Sequence, residues 1–206
     1  MTNVTFYFDF GSPNAFLSHR VIPAIERRTG AEFAYVPILL GGLFKLSGNQ
    51  SPVTAFAGIK NKLDYARIEM RRFIERHHID DFRFNPHFPI NTLQLMRGAI
   101  AANEADVSET YIDRVYDDIW TRGLDMGQPD IVARSLNEAG LPVERILALA
   151  QSPEVKQRLL DNTQAAFARG AFGSPSFLVG DELFFGKDRL RDVEEEIERA
   201  AATAVT

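Results

Sequence analysis

The chain has 206 residues, 45% hydrophobic and 25% charged, with a formal net charge of −5 and no cysteine. The acidic balance excludes the basic footprint of a nucleic-acid binder, and no apolar run approaches the roughly 20 residues of a membrane span. The lack of cysteine excludes disulfides, thiolate metal sites and a CxxC redox pair, so any sulfur chemistry must use a thiol from outside the chain. The N-terminus enters a strand at once, with neither a basic start nor a small-residue cleavage site, so no secretory signal is expected and the default location is cytoplasmic.

Val4 to Phe10 is a run of β-branched and aromatic residues broken by one acid, and it reads as a buried strand. Gly11 releases the backbone, Ser12 is placed as a helix N-cap, and Pro13 follows at the first helical position, where its missing N–H costs nothing. Ala15, Phe16, Leu17, Val21, Ile22 and Ile25 continue as an apolar helical stripe, and Gly30 is a natural C-cap. A hydroxyl at the positive end of a helix dipole can hold an anion, or can simply cap the helix; from this stretch alone both readings stand. Phe33 to Ile38 reads as a second strand, giving a right-handed parallel βαβ unit.

Leu39 to Pro52 reads as a loop by its Gly, Ser, Asn and Pro content. Helical spacing then dominates over residues 59–76, 91–103, 108–122, 130–139 and 142–149. Ser152 and Pro153 start a helix that Gly170 ends. Phe172 to Ser176 is a tight turn; 177–179 and 183–185 form a hairpin; Asp188 caps a last helix with an acidic, solvated outer face. The sum is an α/β chain of thioredoxin order (βαβ…αββα) with an all-α helical insertion. The expected division is 1–50 plus 153–206 for the thioredoxin-like part and 51–152 for the inserted helices.

Five stretches, FDFGSPNAFL at 8–17, GNQSP at 48–52, KLDY at 62–65, FGSPSF at 172–177 and FFGKDRL at 184–190, resemble the 2-hydroxychromene-2-carboxylate isomerase and kappa-class glutathione transferase family, within the DsbA-like thioredoxin folds. The resemblance runs through essentially the whole chain. It implies that Ser12 stands where redox relatives carry their first CxxC cysteine and holds the sulfur of bound glutathione. A hydroxyl donor beside a helix N-terminus should lower a thiol pKa from about 8.5. It also implies a cis bond at Ser174–Pro175, leaving the Ser174 backbone free to bond an extended peptide. Asn49 and Lys62 (with Lys60 as competitor) are implied carboxylate contacts, and Asp188 a partner for the γ-glutamyl amino group. Lys187 departs from the small polar or amide residue usual there, though a lysine can meet a carboxylate. The implied activity is glutathione-dependent isomerisation of a small aromatic acid. Conjugation of electrophiles is the alternative within the family, and a non-catalytic thioredoxin-fold binding protein is the alternative outside catalysis. The resemblance also implies a homodimer. No metal is expected: His19, His77, His78 and His87 show no ligand spacing and no carboxylate partner nearby in sequence.

Overall fold

The computed structural model of the chain describes residues 2–203. Strand β1 (Asn3–Phe8) feeds helix α1 (Pro13–Thr29), which returns to strand β2 (Glu32–Pro37). The hairpin of β3 (Ser176–Val179) and β4 (Glu182–Phe185) completes a four-stranded sheet in the order β2-β1-β3-β4. β1 runs parallel to β2, with Val4 opposite Phe33, and antiparallel to β3, with Tyr7 opposite Ser176. This is the DsbA-like thioredoxin fold expected from the sequence.

Between β2 and β3 lie α2 (Leu40–Ser47), α3 (Pro52–Ala55), α4 (Lys62–His77), α5 (Leu93–Glu104), α6 (Ser108–Trp120), α7 (Pro129–Glu138), α8 (Val143–Ala150) and α9 (Pro153–Ala168). A single 3-10 turn (Lys187–Arg189) leads into α10 (Leu190–Thr203). No helix among the described residues is long and apolar enough to cross a membrane.

The central strand explains how the layers meet. Its side chains alternate. Phe6 and Phe8 enter a large cluster that continues through Phe10 into Tyr116 and Trp120 of α6, while Tyr7 faces the other way, against Ile38, Leu43 and Ala166. Phe6 stacks on Phe177 at 5.2 Å, and Phe10 meets Tyr116 edge-on at 4.8 Å. The helices between β2 and β3 therefore pack directly on the sheet that carries α1. Close contact is enforced at Gly98, where a Cβ would lie 2.0 Å from the Tyr111 hydroxyl; that hydroxyl bonds the Leu95 carbonyl at 3.0 Å.

Three local expectations are corrected. The strand expected to reach Phe10 stops at Phe8, because Phe10 N–H points to the Met96 sulfur and Phe10 C=O accepts from the Trp120 indole. The loop expected over 39–52 contains α2. Its start is held from elsewhere in the chain: Leu39 N–H donates to Thr163 and Leu40 N–H to Asp9. Asp188 sits inside the 3-10 turn and does not cap α10.

Candidate active site

The first turn of α1 is set by its own residues. Ser12 is extended, its Oγ accepts from Ala15 N–H at 3.2 Å, and Pro13 follows at the first helical position. That hydroxyl then donates, at 2.8 Å, to the carbonyl of Ser174 in the loop before β3. The Ser174–Pro175 bond is cis, as expected; Phe88–Pro89, which the sequence did not flag, is cis too. The Ser174 backbone is therefore not wholly free, since its carbonyl already accepts the Ser12 hydroxyl. The loop leaves no room for a side chain at Gly173, where a Cβ would lie 2.6 Å from the Phe185 ring.

Three hydrogen bonds close a ring. Ser12 N–H donates to Asp9 C=O at 3.0 Å, Asp9 N–H donates to Ser174 Oγ at 3.1 Å, and Ser12 Oγ–H donates to Ser174 C=O. Asp9, the one acid in that apolar strand, carries no sequence signal of a site beyond the need of a buried carboxylate for partners. It is 1% exposed. Its carboxylate accepts from Gly11 N–H at 2.8 Å, Leu40 N–H at 2.8 Å and Thr92 Oγ at 2.7 Å. Burial pushes its carboxyl above the usual range, and those three donors pull against that rise.

The expected ligand contacts separate into two groups. Asn49 and Asp188 flank the cis-proline loop. Asn49 Nδ2 donates to Phe172 C=O at 2.8 Å, and Gly186 N–H, two residues before Asp188, donates to Pro175 C=O at 2.9 Å. Lys187, expected to reach a ligand carboxylate, is buried instead. Its ammonium lies 4.8 Å from the Phe73 ring centroid on α4 and pairs with Asp188 at 2.5 Å. Lys62 is exposed at the start of α4, away from the loop's own hydrogen bonds, with its ammonium over Phe56 at 5.1 Å.

Ser12 itself is 5% exposed, with Gly11, Pro13 and Asn14 half-buried around it, so access to it is narrow. Surface hollows of about 390 Å³ beside Arg20, His77, His78, Asp80 and Asp81, and of about 310 Å³ beside Arg122 and Glu138, do not touch it. Among the described residues no group of three His, Cys, Asp or Glu is placed to hold a metal. His19 does find partners that its sequence neighbourhood hid: Tyr35 at 2.8 Å and Asp113 at 3.1 Å.

A family model described as a DSBA-like thioredoxin domain matches residues 3–198. The chain belongs to that family. It is 28% identical over 187 residues to a 2-hydroxychromene-2-carboxylate isomerase of Sphingobium xenophagum, covering 91% of this chain and 93% of that one. It is 24% identical over 205 residues to glutathione S-transferase kappa 1 of Homo sapiens, covering 91% and 87%. A solved 2-hydroxychromene-2-carboxylate isomerase shares 25% identity and superposes with a TM-score of 0.82 over 98% of both chains. The relatives it resembles within the DsbA-like family are named as enzymes, isomerases and kappa transferases.

Proposed function

We propose that the chain is a glutathione-dependent isomerase that interconverts 2-hydroxychromene-2-carboxylate, or a close bicyclic relative, and its ring-opened trans-benzylidenepyruvate, a step of aromatic breakdown. The observation that carries this reading is the Ser12–Ser174 hydrogen bond, which joins a hydroxyl at a helix N-terminus to the backbone before a cis proline. Similarity to enzymes named for this reaction, and to glutathione transferases, supports it.

The donor set suits a peptide thiol. As the Ser12 hydroxyl turns from Ser174 C=O toward a sulfur, that carbonyl becomes available to a peptide N–H, so one bond exchanges for two. The N-terminal end of α1 adds a positive field at the same point. Asp188 is 65% exposed at its side chain and suits an ammonium group; Asn49 lies at the other end of the loop. Bound glutathione supplies a thiolate nucleophile whose reversible addition lets a conjugated double bond rotate, and it is regenerated in each cycle. The narrow access at Ser12 keeps water away from that sulfur.

Replacing Ser12 by Ala should lower glutathione-dependent turnover about 10- to 1,000-fold, the range for loss of one positioned donor, with a smaller loss of glutathione affinity. Unchanged turnover would remove the role assigned to Ser12. A second reading, conjugation of small electrophiles, is favoured by the full-length similarity to the kappa transferase. Net consumption of glutathione against chlorodinitrobenzene supports conjugation; catalytic glutathione with the chromene acid supports isomerisation. A homodimer belongs to both readings, and light scattering of the purified chain tests it.

A further inference from the structure

The geometry points to Asp9 as the positioning residue for Ser12: one buried carboxylate gathers the N-terminal ends of three helices and thereby fixes the hydroxyl at the mouth of α1. Gly11 lies just before α1, Leu40 is the first residue of α2, and Thr92 is the N-cap of α5. Each donates to Asp9, from 2, 31 and 83 positions away in the chain. Two backbone N–H groups and one hydroxyl, each at or just before a helix start, explain how that buried carboxylate is tolerated with no cation among its hydrogen-bond partners. The backbone of the same residue carries two sides of the hydrogen-bonded ring. Asp9 C=O holds Ser12 N–H, and Asp9 N–H holds the Ser174 hydroxyl. The side chain thus secures the ring to α2 and α5, and the ring sets where the Ser12 hydroxyl points.

The role in catalysis rests on the proposed glutathione reading; the positioning of Ser12 does not, and two measurements keep them apart. Asp9→Asn keeps the volume and one acceptor oxygen. With that oxygen on Gly11 and Thr92, its amide nitrogen faces Leu40 N–H, donor against donor. In native-state hydrogen exchange, the Ala15 and Leu40 amides of Asp9→Asn should exchange at least roughly tenfold faster relative to the β1–β3 ladder amides. Uniform acceleration of all amides would mean that Asp9 only adds stability, and the inference falls. In the second measurement, the thiolate absorbance of bound glutathione at pH 7 should fall roughly threefold or more in Asp9→Asn, as the hydroxyl loses its aim. A rise would mean that removing the buried negative charge outweighs positioning, and would overturn the inference. If the native chain binds no glutathione, the functional reading fails while the exchange pattern still decides the positioning role. Should Asp9→Asn not fold, Thr92→Val removes one donor and should show the same amide pattern more weakly. Thr92→Ser, which keeps the hydroxyl, should restore the native pattern; equal behaviour of the two Thr92 variants would count against the inference.

Discussion

The two ends of the candidate site are built on opposite terms. Around the mouth of α1, Ser12, Asp9 and Ser174 are buried and joined in a closed ring of hydrogen bonds. Along the segment from α2 to α4, Asn49 and Lys62 are exposed, and α4 buries only Phe73 outright. A group that must hold a reacting sulfur to a fraction of an ångström belongs in the first setting, where neighbours over-determine it. Groups that recognise the charged ends of a flexible ligand can stand in the second, where each contact is worth little. The contrast predicts that substitutions in the ring change turnover, while those on the rim change affinity.

Ser12→Ala and Asp9→Asn are the severe breaks of the ring. The next largest effect should come at Lys187, which belongs to both settings: it is buried, yet it pairs with the exposed Asp188. Lys187→Met keeps the apolar stem against Phe73 and removes the charge. The glutathione dissociation constant should rise about 3- to 10-fold as Asp188 loses its partner, with turnover at saturation nearly unchanged. Stability should move by only about 1 kcal/mol in either direction, since the cost of burying the ammonium offsets its contacts. A double-mutant cycle with Asp188→Asn checks the assignment. Strong non-additivity in affinity marks Lys187 as acting through Asp188. Additive losses would mean that the two residues meet the ligand separately.

The legible and illegible parts of the molecule divide along the same line. Ser12 with Pro13, Gly30 and Ser152 with Pro153 announced their helix ends because capping uses residues a few positions apart. α2 was read as a loop because LGGLFKLS is short and begins with two glycines near its start, and its N-terminal N–H groups are satisfied by Asp9 and by Thr163, 124 positions from Leu39. Lys187 reads as able to meet a ligand carboxylate because nothing local shows that Phe73 lies beneath it. His19 was discounted for lack of a nearby carboxylate, and Asp113 lies on α6. Asp9 is the instructive case. The anomaly stands in the sequence, an acid inside a strand of aromatic residues, but two of its three partners, Leu40 and Thr92, lie 31 and 83 positions away at the starts of α2 and α5.

At the exposed end the effects should be small and sensitive to salt. Lys62→Ala should weaken glutathione binding about 2- to 3-fold at low ionic strength, and the difference should shrink at 0.5 M salt, where an exposed charge is screened within several ångströms. Lys60→Ala serves as the comparison: an equal loss there would mean that neither lysine makes a defined contact. A loss confined to Lys62→Ala assigns the ligand carboxylate to the start of α4, where the helix dipole has the same sign as the lysine.

The smallest effect calibrates what an exposed pair contributes away from the site. Arg28 near the end of α1 forms a forked pair with Glu194 on α10, at 2.7 and 2.9 Å. The Arg28 hydrogen bond holds the Glu194 carboxyl below its usual range, with partial burial opposing. A carboxylate whose folded-state pKa is depressed stabilises the fold above its unfolded pKa and loses that contribution as pH falls through the folded value. Arg28→Gln should therefore lower the thermal midpoint by about a degree or two at pH 7, consistent with about 0.2–1 kcal/mol for an exposed pair. The two curves should converge in acid, as pH falls through the depressed folded-state pKa of Glu194 and the carboxyl becomes protonated in both states. A gap that persists undiminished in acid would trace the loss to packing of the arginine stem and not to its charge. Glutathione affinity and turnover should not move at all, because the Arg28–Glu194 pair lies at the end of α1 opposite Ser12. A change in either would mean that the far end of α1 is coupled to its mouth, and the division between a rigid ring and an independent periphery would have to be redrawn.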